Sequence, residues 1–298
     1  MDPVITPAPI EPPSALLASY TLDGAIPLET FYIDEASSSA SSSEPFVYDL
    51  AELDGCVAHA GRLLAGTARQ AVTRGGGVDR QLIARALGPA GDAPVEGAAV
   101  VVFGATDPWV ECLCLAAGAK SVTTVEYQHL VYEHPNMHNI LLGDFERALG
   151  STANAASGSA TRLAGSFDVA IALSAFDHDG LGRYGDRLHP NGDLLAMRTA
   201  WRALRPSGRL LLSAPVGPDL LVWNLHRRYG PLRLPRLLAG WQEDARLGFD
   251  PARLTATSDH RRRYEPLFVL RRNGTDDLAV QGEGVVSEGG EACEAEAE

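Results

Sequence analysis

Residues Ala98 to Glu126 constrain what this chain can fold into more than any other stretch. AAVVVF (Ala98–Phe103) is a short continuous apolar run, the composition of a parallel strand buried on both faces. Gly104-Ala105-Thr106-Asp107-Pro108 follows as a turn. Pro108 suits the first helical position, and Thr106 or Asp107 can cap the helix. The helix runs to Ala117 and stops at Gly118, a residue suited to the left-handed conformation that ends helices. Val122 to Val125 forms a second strand ending in Glu126. Strand, tight turn, helix, strand is a βαβ unit.

The alternation continues downstream. Asn139 to Leu142 reads as a third strand leading into Gly143-Asp144, and FDVAIAL (Phe167–Leu173) as another buried one. Leu194, Met197, Trp201 and Leu204 recur at helical spacing, with Pro206-Ser207-Gly208 ending that helix. Arg209 to Ala214 reads as a strand, about Leu220 to Tyr229 as a helix, and Pro266 to Leu270 as a last strand. The pattern predicts an α/β fold: a doubly wound, Rossmann-like, mostly parallel sheet with ligands at the strand C-termini. Upstream, the alternation of Ile26 to Ile33 can add a strand or arm. Val47 to Leu87 is helical apart from the break at Gly75-Gly76-Gly77, and its helices should pack against the sheet. ASSSASSS (36–43) and the small-residue run 150–161 have little to bury and read as loops. The expected division is an arm and Ser-rich linker over 1–45, the α/β domain over 46–275, and an acidic, disordered tail over 276–298.

Charge narrows the partners. The net charge is -13, and the tail alone holds eight acidic residues with no Lys or Arg, leaving about -5 for the rest. Such a body lacks the clustered cations of a nucleic-acid surface, and Arg261-Arg262-Arg263 reads as a solvated rim. No apolar run approaches the roughly 18–20 residues of a membrane span. The first twenty residues hold five prolines and no Lys or Arg, unlike a secretory signal, so the expected location is cytoplasmic. Cys112 and Cys114 stand two apart on a helix, where side chains do not face each other. They read as small buried hydrophobes rather than a disulfide or zinc pair.

Two constellations can carry chemistry. At the first turn, a helix N-terminus can hold an anion. Glu126, about 20 positions after Gly104, is placed to accept from ribose hydroxyls. The turn lacks the second and third glycines of the dinucleotide fingerprint, which weakens the case for a pyrophosphate. S-adenosylmethionine, which has no phosphate, is less affected, and Asp107 or Glu111 can meet its amino group. The second constellation is SAFDHDGLGRYGDRLHPNGD (Ser174–Asp193), directly after a buried strand, with four glycines that let it bend. His178 is a candidate general base oriented by Asp177 or Asp179. Asp-rich glycine loops also satisfy their own backbone, which is the plainer reading of Asp186 and its neighbours. Asp177, His178, Asp186 and His189 match no metal-ligand spacing, so no metal is expected. If 220–229 is helical, Trp223, His226 and Arg227 share a face that can line an acceptor pocket. Ser174 lacks the G-x-S-x-G elbow of a hydrolase.

GATDPWVE (104–111), TVEY (124–127), SAFDHDGLGRYGD (174–186), PNGD (190–193), RPSG (205–208), PVGPDLLVWNLHRRYG (215–230) and EPLFVL (265–270) together resemble the family catalogued as domain of unknown function 268. That family is similar to class I S-adenosylmethionine-dependent methyltransferases. Asp177 stands where the family more often has Glu, and RPSG where KPGG is usual. The resemblance implies a methyltransferase-type fold and S-adenosylmethionine as cofactor, and leaves the acceptor open.

The expected activity is therefore methyl transfer to a small-molecule or glycan acceptor. Gly104, Thr106, Asp107, Pro108, Glu126, Tyr127, Asp144 and Ser174 would bind the cofactor. His178, with Asp177, Asp179, Arg183 and Tyr184, would carry the chemistry, and Asp186, His189, Trp223 and His226 would face the acceptor. The rival is a non-catalytic scaffold or binding module with the same fold. A nicotinamide-dependent oxidoreductase fits the glycine pattern less well. No nucleic-acid or membrane partner is expected, and the oligomeric state is open.

Overall fold

The structure, a computed structural model, describes residues 8–33, 35, 45–67, 78–105, 107–150, 163–256 and 263–274. The Ser-rich linker 36–43, Gly75–Gly77, Thr106, the run 151–161, Arg261, Arg262 and the acidic tail 276–298 lie outside these residues.

The strands are β1 (Leu28–Thr30), β2 (Phe46–Tyr48), β3 (Ala99–Phe103), β4 (Ser121–Glu126), β5 (Leu130–Tyr132), β6 (Met137–Leu141), β7 (Phe167–Leu173), β8 (Leu204–Ser213), β9 (Leu220–Trp223), β10 (His226–Arg228), β11 (Gln242–Leu247) and β12 (Leu267–Arg271). The helices are α1 (Ser14–Thr21), α2 (Leu50–Leu64), α3 (Arg80–Leu87), α4 (Trp109–Ala116), α5 (Leu142–Gly150), α6 (Gly192–Ala203) and α7 (Leu234–Leu237). A seven-stranded sheet of order β11-β12-β8-β7-β3-β4-β6 forms the centre. Its strands are parallel except β12, which runs antiparallel to both β8 and β11. This is the α/β, doubly wound, Rossmann-like and mostly parallel architecture expected from the sequence. The continuous apolar runs are its inner strands: Val100, Val101 and Val102 of β3 and Ala170, Ile171 and Ala172 of β7 are buried. One core lies between the sheet and α5 and α6, around Phe145, Met197 and Trp201. The other lies on the opposite face against α2, α3 and α4, around Leu53, Ile83 and Leu113.

Three expectations change. Leu220 to Tyr229 is a β-hairpin, not a helix: β9 and β10 pair antiparallel, with Val222 opposite His226 and Leu221 opposite Arg227. Asn224 turns it in the left-handed region (φ 61°), where Asn is tolerated. β1 completes a three-stranded sheet by pairing parallel to β9. That non-local pairing, with all four residues of β9 buried, overrides the helical spacing of Trp223, His226 and Arg227. Second, α6 ends at Ala203, and RPSG belongs to the start of β8, where Leu204 already pairs with Phe167. Third, Cys112 is disulfide-bonded to Cys56, with Cα atoms 5.8 Å apart, while Cys114 is free and buried. The partner comes from α2, which packs on α4, and not from the neighbouring turn of the same helix. Among the described residues no helix is long and apolar enough to cross a membrane.

Candidate active site

The chain leaves β3 in both directions across the sheet: β4 and β6 lie on one side, β7 and β8 on the other. At such a reversal the loops after neighbouring strands diverge, and ligands bind at the carboxyl edge. Gly104 follows β3 at this point with φ 70°. A Cβ there would stand 2.7 Å from the Cβ of Ala175 after β7, so the glycine lets the two loops meet. Pro108, not Asp107, occupies the N-cap position of α4, and among the described residues no side chain caps the helix; Thr106, the other expected cap, lies outside them.

Glu126 ends β4 and is 8% exposed, with Oε1 accepting from the Tyr127 N–H at 2.8 Å. Burial pushes its carboxyl up from the usual range. Glu111, in the first turn of α4, is fully buried. Its Oε1 accepts from the Thr124 hydroxyl at 2.7 Å, and its Oε2 has no hydrogen-bond partner. Burial pushes Glu111 up to about 7, with Asp107 and Glu126 adding to the rise. Asp144 lies in the first turn of α5 and pairs with Arg147 one turn on.

The Ser174–Asp193 loop gathers the remaining candidates. Ser174 takes a left-handed conformation (φ 52°), and its hydroxyl donates to Glu265 Oε1 at 3.3 Å. Glu265 was not singled out as a site residue, although EPLFVL carries it. β12 is antiparallel, so the residues that precede it reach the carboxyl ends of the parallel strands, with Leu267 opposite Ser213. Burial pushes Glu265 up to about 7 against the pull of Arg263, whose Nε stands 3.4 Å from Oε1.

His178 is 7% exposed. Its Nδ1 lies against the Leu225 carbonyl, so that nitrogen carries the hydrogen, and Nε2 stands 3.5 Å from Asp177 Oδ2. Burial, then Arg183, lowers its pKa to about 4, leaving the ring neutral at pH 7. Asp177 is fully buried, without a hydrogen-bond partner for either carboxylate oxygen, and burial pushes it up to about 7. The Tyr127 hydroxyl donates to Asp179 Oδ1 at 3.1 Å. The Tyr127 ring stacks on Tyr184 at 6.1 Å, and Tyr184 meets the edge of His178 at 5.9 Å. Arg183 lies over Tyr184, 5.0 Å from its centroid, and pairs with Glu35 of the N-terminal arm at 2.7 Å. The arm reaches the loop again through the Tyr20 hydroxyl, which donates to the Gly180 carbonyl at 2.6 Å.

Other expected site residues serve the loop itself. Asp186 accepts from the N–H groups of Gly180, Gly182 and Tyr184. His189 Nδ1 accepts from the Asn191 N–H at 3.0 Å. Trp223 is fully buried and donates to the Pro9 carbonyl at 3.0 Å, which takes it out of an acceptor pocket. His226 packs its ring 6.4 Å from that of His178. Arg227 donates to the carbonyls of Asp177, Asp179, His189 and Pro190, binding the two ends of the loop together. Beside it, Arg233 pairs with Asp193 at 2.5 Å.

The profile of the family described as Caenorhabditis protein of unknown function, DUF268, matches residues 97–251. No curated protein matches the chain. Among solved structures, the Burkholderia thailandensis 1,6-didemethyltoxoflavin-N1-methyltransferase, with bound 1,6-didemethyltoxoflavin and S-adenosylhomocysteine, is similar at 14% identity. Its TM-score is 0.43, over 90% of this chain and 94% of that one. An S-adenosylmethionine dependent methyltransferase from Mesorhizobium loti is similar at 15% identity and TM-score 0.39, over 65% of this chain and 97% of that one. Likeness at this level concerns the fold alone.

Proposed function

The chain belongs to the family described as Caenorhabditis protein of unknown function, DUF268, and we propose that it transfers a methyl group from S-adenosylmethionine to a small-molecule or glycan acceptor. The observation that carries this reading is the acidity of the turn at the sheet's reversal. Asp107, Glu111 and Glu126 surround it, and among the described residues none of the three is paired with a cation. A pyrophosphate would be repelled there, whereas a nucleoside that has no phosphate and carries positive charge would be attracted. S-adenosylmethionine is such a ligand, and the residues present fit it.

Gly104, Asp107 and Pro108 would hold its methionine part, Glu126 its ribose, and Tyr127 and Ser174 would line the same edge. Thr106 is a further candidate for binding the cofactor, and Asp144 for its adenine amine. When bound, the sulfonium supplies an activated methyl group and its own leaving group. The protein's task is then to hold the acceptor and remove one proton. His178, neutral at pH 7, is the group to receive that proton on Nε2, and Asp177 would stabilise the imidazolium so formed. Arg183, Tyr184 and Asp179 would position the acceptor, and the stacked Tyr127–Tyr184 pair offers a sugar or ring an apolar face.

One observation favours the rival, a non-catalytic module: His178 is deeply buried, and the loop that carries it is extensively bonded to itself. Calorimetric titration with S-adenosylmethionine and with NAD separates the readings. Binding of the first alone is expected. Binding of NAD alone would indicate an oxidoreductase, and no heat with either, from folded protein, would leave the scaffold.

A further inference from the structure

The Glu111 carboxylate lies against β4, bonded to Thr124 two residues before the end of that strand. Its partner Thr124 stands opposite Val102, and the next pair along the strands, Phe103 and Val125, ends the ladder between β3 and β4. Among the described residues the free oxygen, Oε2, has no hydrogen-bond partner. The Tyr132 hydroxyl donates to Thr124 Oγ1 at 3.3 Å, and Tyr48 stacks on the Tyr132 ring at 5.7 Å. The titratable groups facing Glu111 are Asp107 before the helix, Glu126 at the end of β4, the hydroxyls of Tyr48 and Tyr132, and the buried Cys114 thiol one turn along α4. None of them supplies positive charge. A fully buried carboxylate with one oxygen unbonded is unfavourable unless a cation approaches it. In this low-dielectric setting the attraction acts across a layer of protein without direct contact.

Building on the cofactor reading above, we propose that Glu111 is the specificity-determining residue that makes this site favour a sulfonium ligand over the corresponding neutral thioether. S-adenosylmethionine and its demethylated product share every polar group and differ in the methyl group and one positive charge at sulfur. The negative charge that Glu111 carries when ionised acts alike on the amino group the two ligands share, so its effect on the difference between them falls on the sulfur. The consequence is that the product leaves the site more readily than the substrate does, without any contact that recognises the methyl group.

The test is calorimetric titration of S-adenosylmethionine and S-adenosylhomocysteine, separately, into wild type and Glu111→Gln. The amide keeps an acceptor for the Thr124 hydroxyl and removes the charge. The expected result is that Glu111→Gln weakens the sulfonium ligand about tenfold, about 1.4 kcal/mol, and the thioether less than about twofold. Equal weakening of both, or of neither, would overturn the proposal while leaving the cofactor reading intact. If neither ligand binds wild type, the cofactor reading falls and this inference with it. Should the variant fold poorly, the unmodified protein provides a second measurement between pH 5.5 and 7.5. Its preference for the sulfonium ligand should grow severalfold as Glu111 ionises, and a constant preference would equally overturn the proposal.

Discussion

The two ends of the ligand edge differ in how they meet their own polar demands. Around the Ser174–Asp193 loop the protein answers most of them itself. Asp186 takes three loop N–H groups, and Arg227 takes four carbonyls. Around the Gly104 turn the demands are left open: Glu111 keeps an unbonded oxygen, and among the described residues no cation pairs with Asp107, Glu111 or Glu126. The loop is built to hold its shape, and the turn to receive something. Within the loop the exceptions are Arg183, whose Nε is unbonded, and Asp177, buried with both oxygens unbonded beside His178, where an acceptor's proton would have to go.

The largest effect that would break this contrast belongs to the loop. Asp193→Asn should leave Arg227 and Arg233 buried without their counter-charge and cost about 3–5 kcal/mol in denaturant unfolding. A loss below about 1 kcal/mol would mean that the brace is not what orders the loop. Next is Gly104→Ala, which forces a Cβ against Ala175 at a positive φ. It should weaken S-adenosylhomocysteine at least tenfold, about 1.4 kcal/mol, in a calorimetric titration. His178→Ala should separate the two regions: turnover falls by about two orders of magnitude or more, while cofactor affinity stays within about twofold. Full activity in that variant would remove His178 as the base.

The smallest effect is on pH dependence. Burial raises the folded pKa of Glu111, Asp177 and Glu265 to about 7, above their values in the unfolded chain. The folded state therefore keeps protons that the unfolded state releases, and stability falls as pH rises from about 4 through 7. His178 acts in the opposite sense, losing stability below pH 6.5 as its folded pKa of about 4 is approached. Between pH 6.5 and 7.5 the carboxylates dominate, so Tm should drop by a few degrees, and Glu111→Gln should flatten that drop. A Tm that climbs over this interval would contradict the burial of these acids.

Much of this architecture was legible before the structure. Strands β3, β4 and β7 were readable because parallel strands covered on both faces carry unbroken apolar runs. The Gly104 turn and the Ser174–Asp193 loop followed from their places after such strands. The hairpin was not legible, because the spacing of Trp223, His226 and Arg227 is also helical and the pairing that decides the matter comes from β1, some 190 residues away in sequence. Cys56 and Cys112 meet only through the packing of α2 on α4. Glu265 reaches the site because one strand runs backwards, and no local pattern announces that reversal.

The central claim is that a cationic, phosphate-free nucleoside binds at the turn between β3 and α4. Amide hydrogen exchange with and without saturating S-adenosylmethionine tests it most directly, since that ligand has no phosphate and carries the positive sulfur. The account predicts new protection centred on 103–111 and 121–128, with the brace residues 189–193 unchanged. Protection that appears only in the Ser174–Asp193 loop, or nowhere in folded protein, would contradict it.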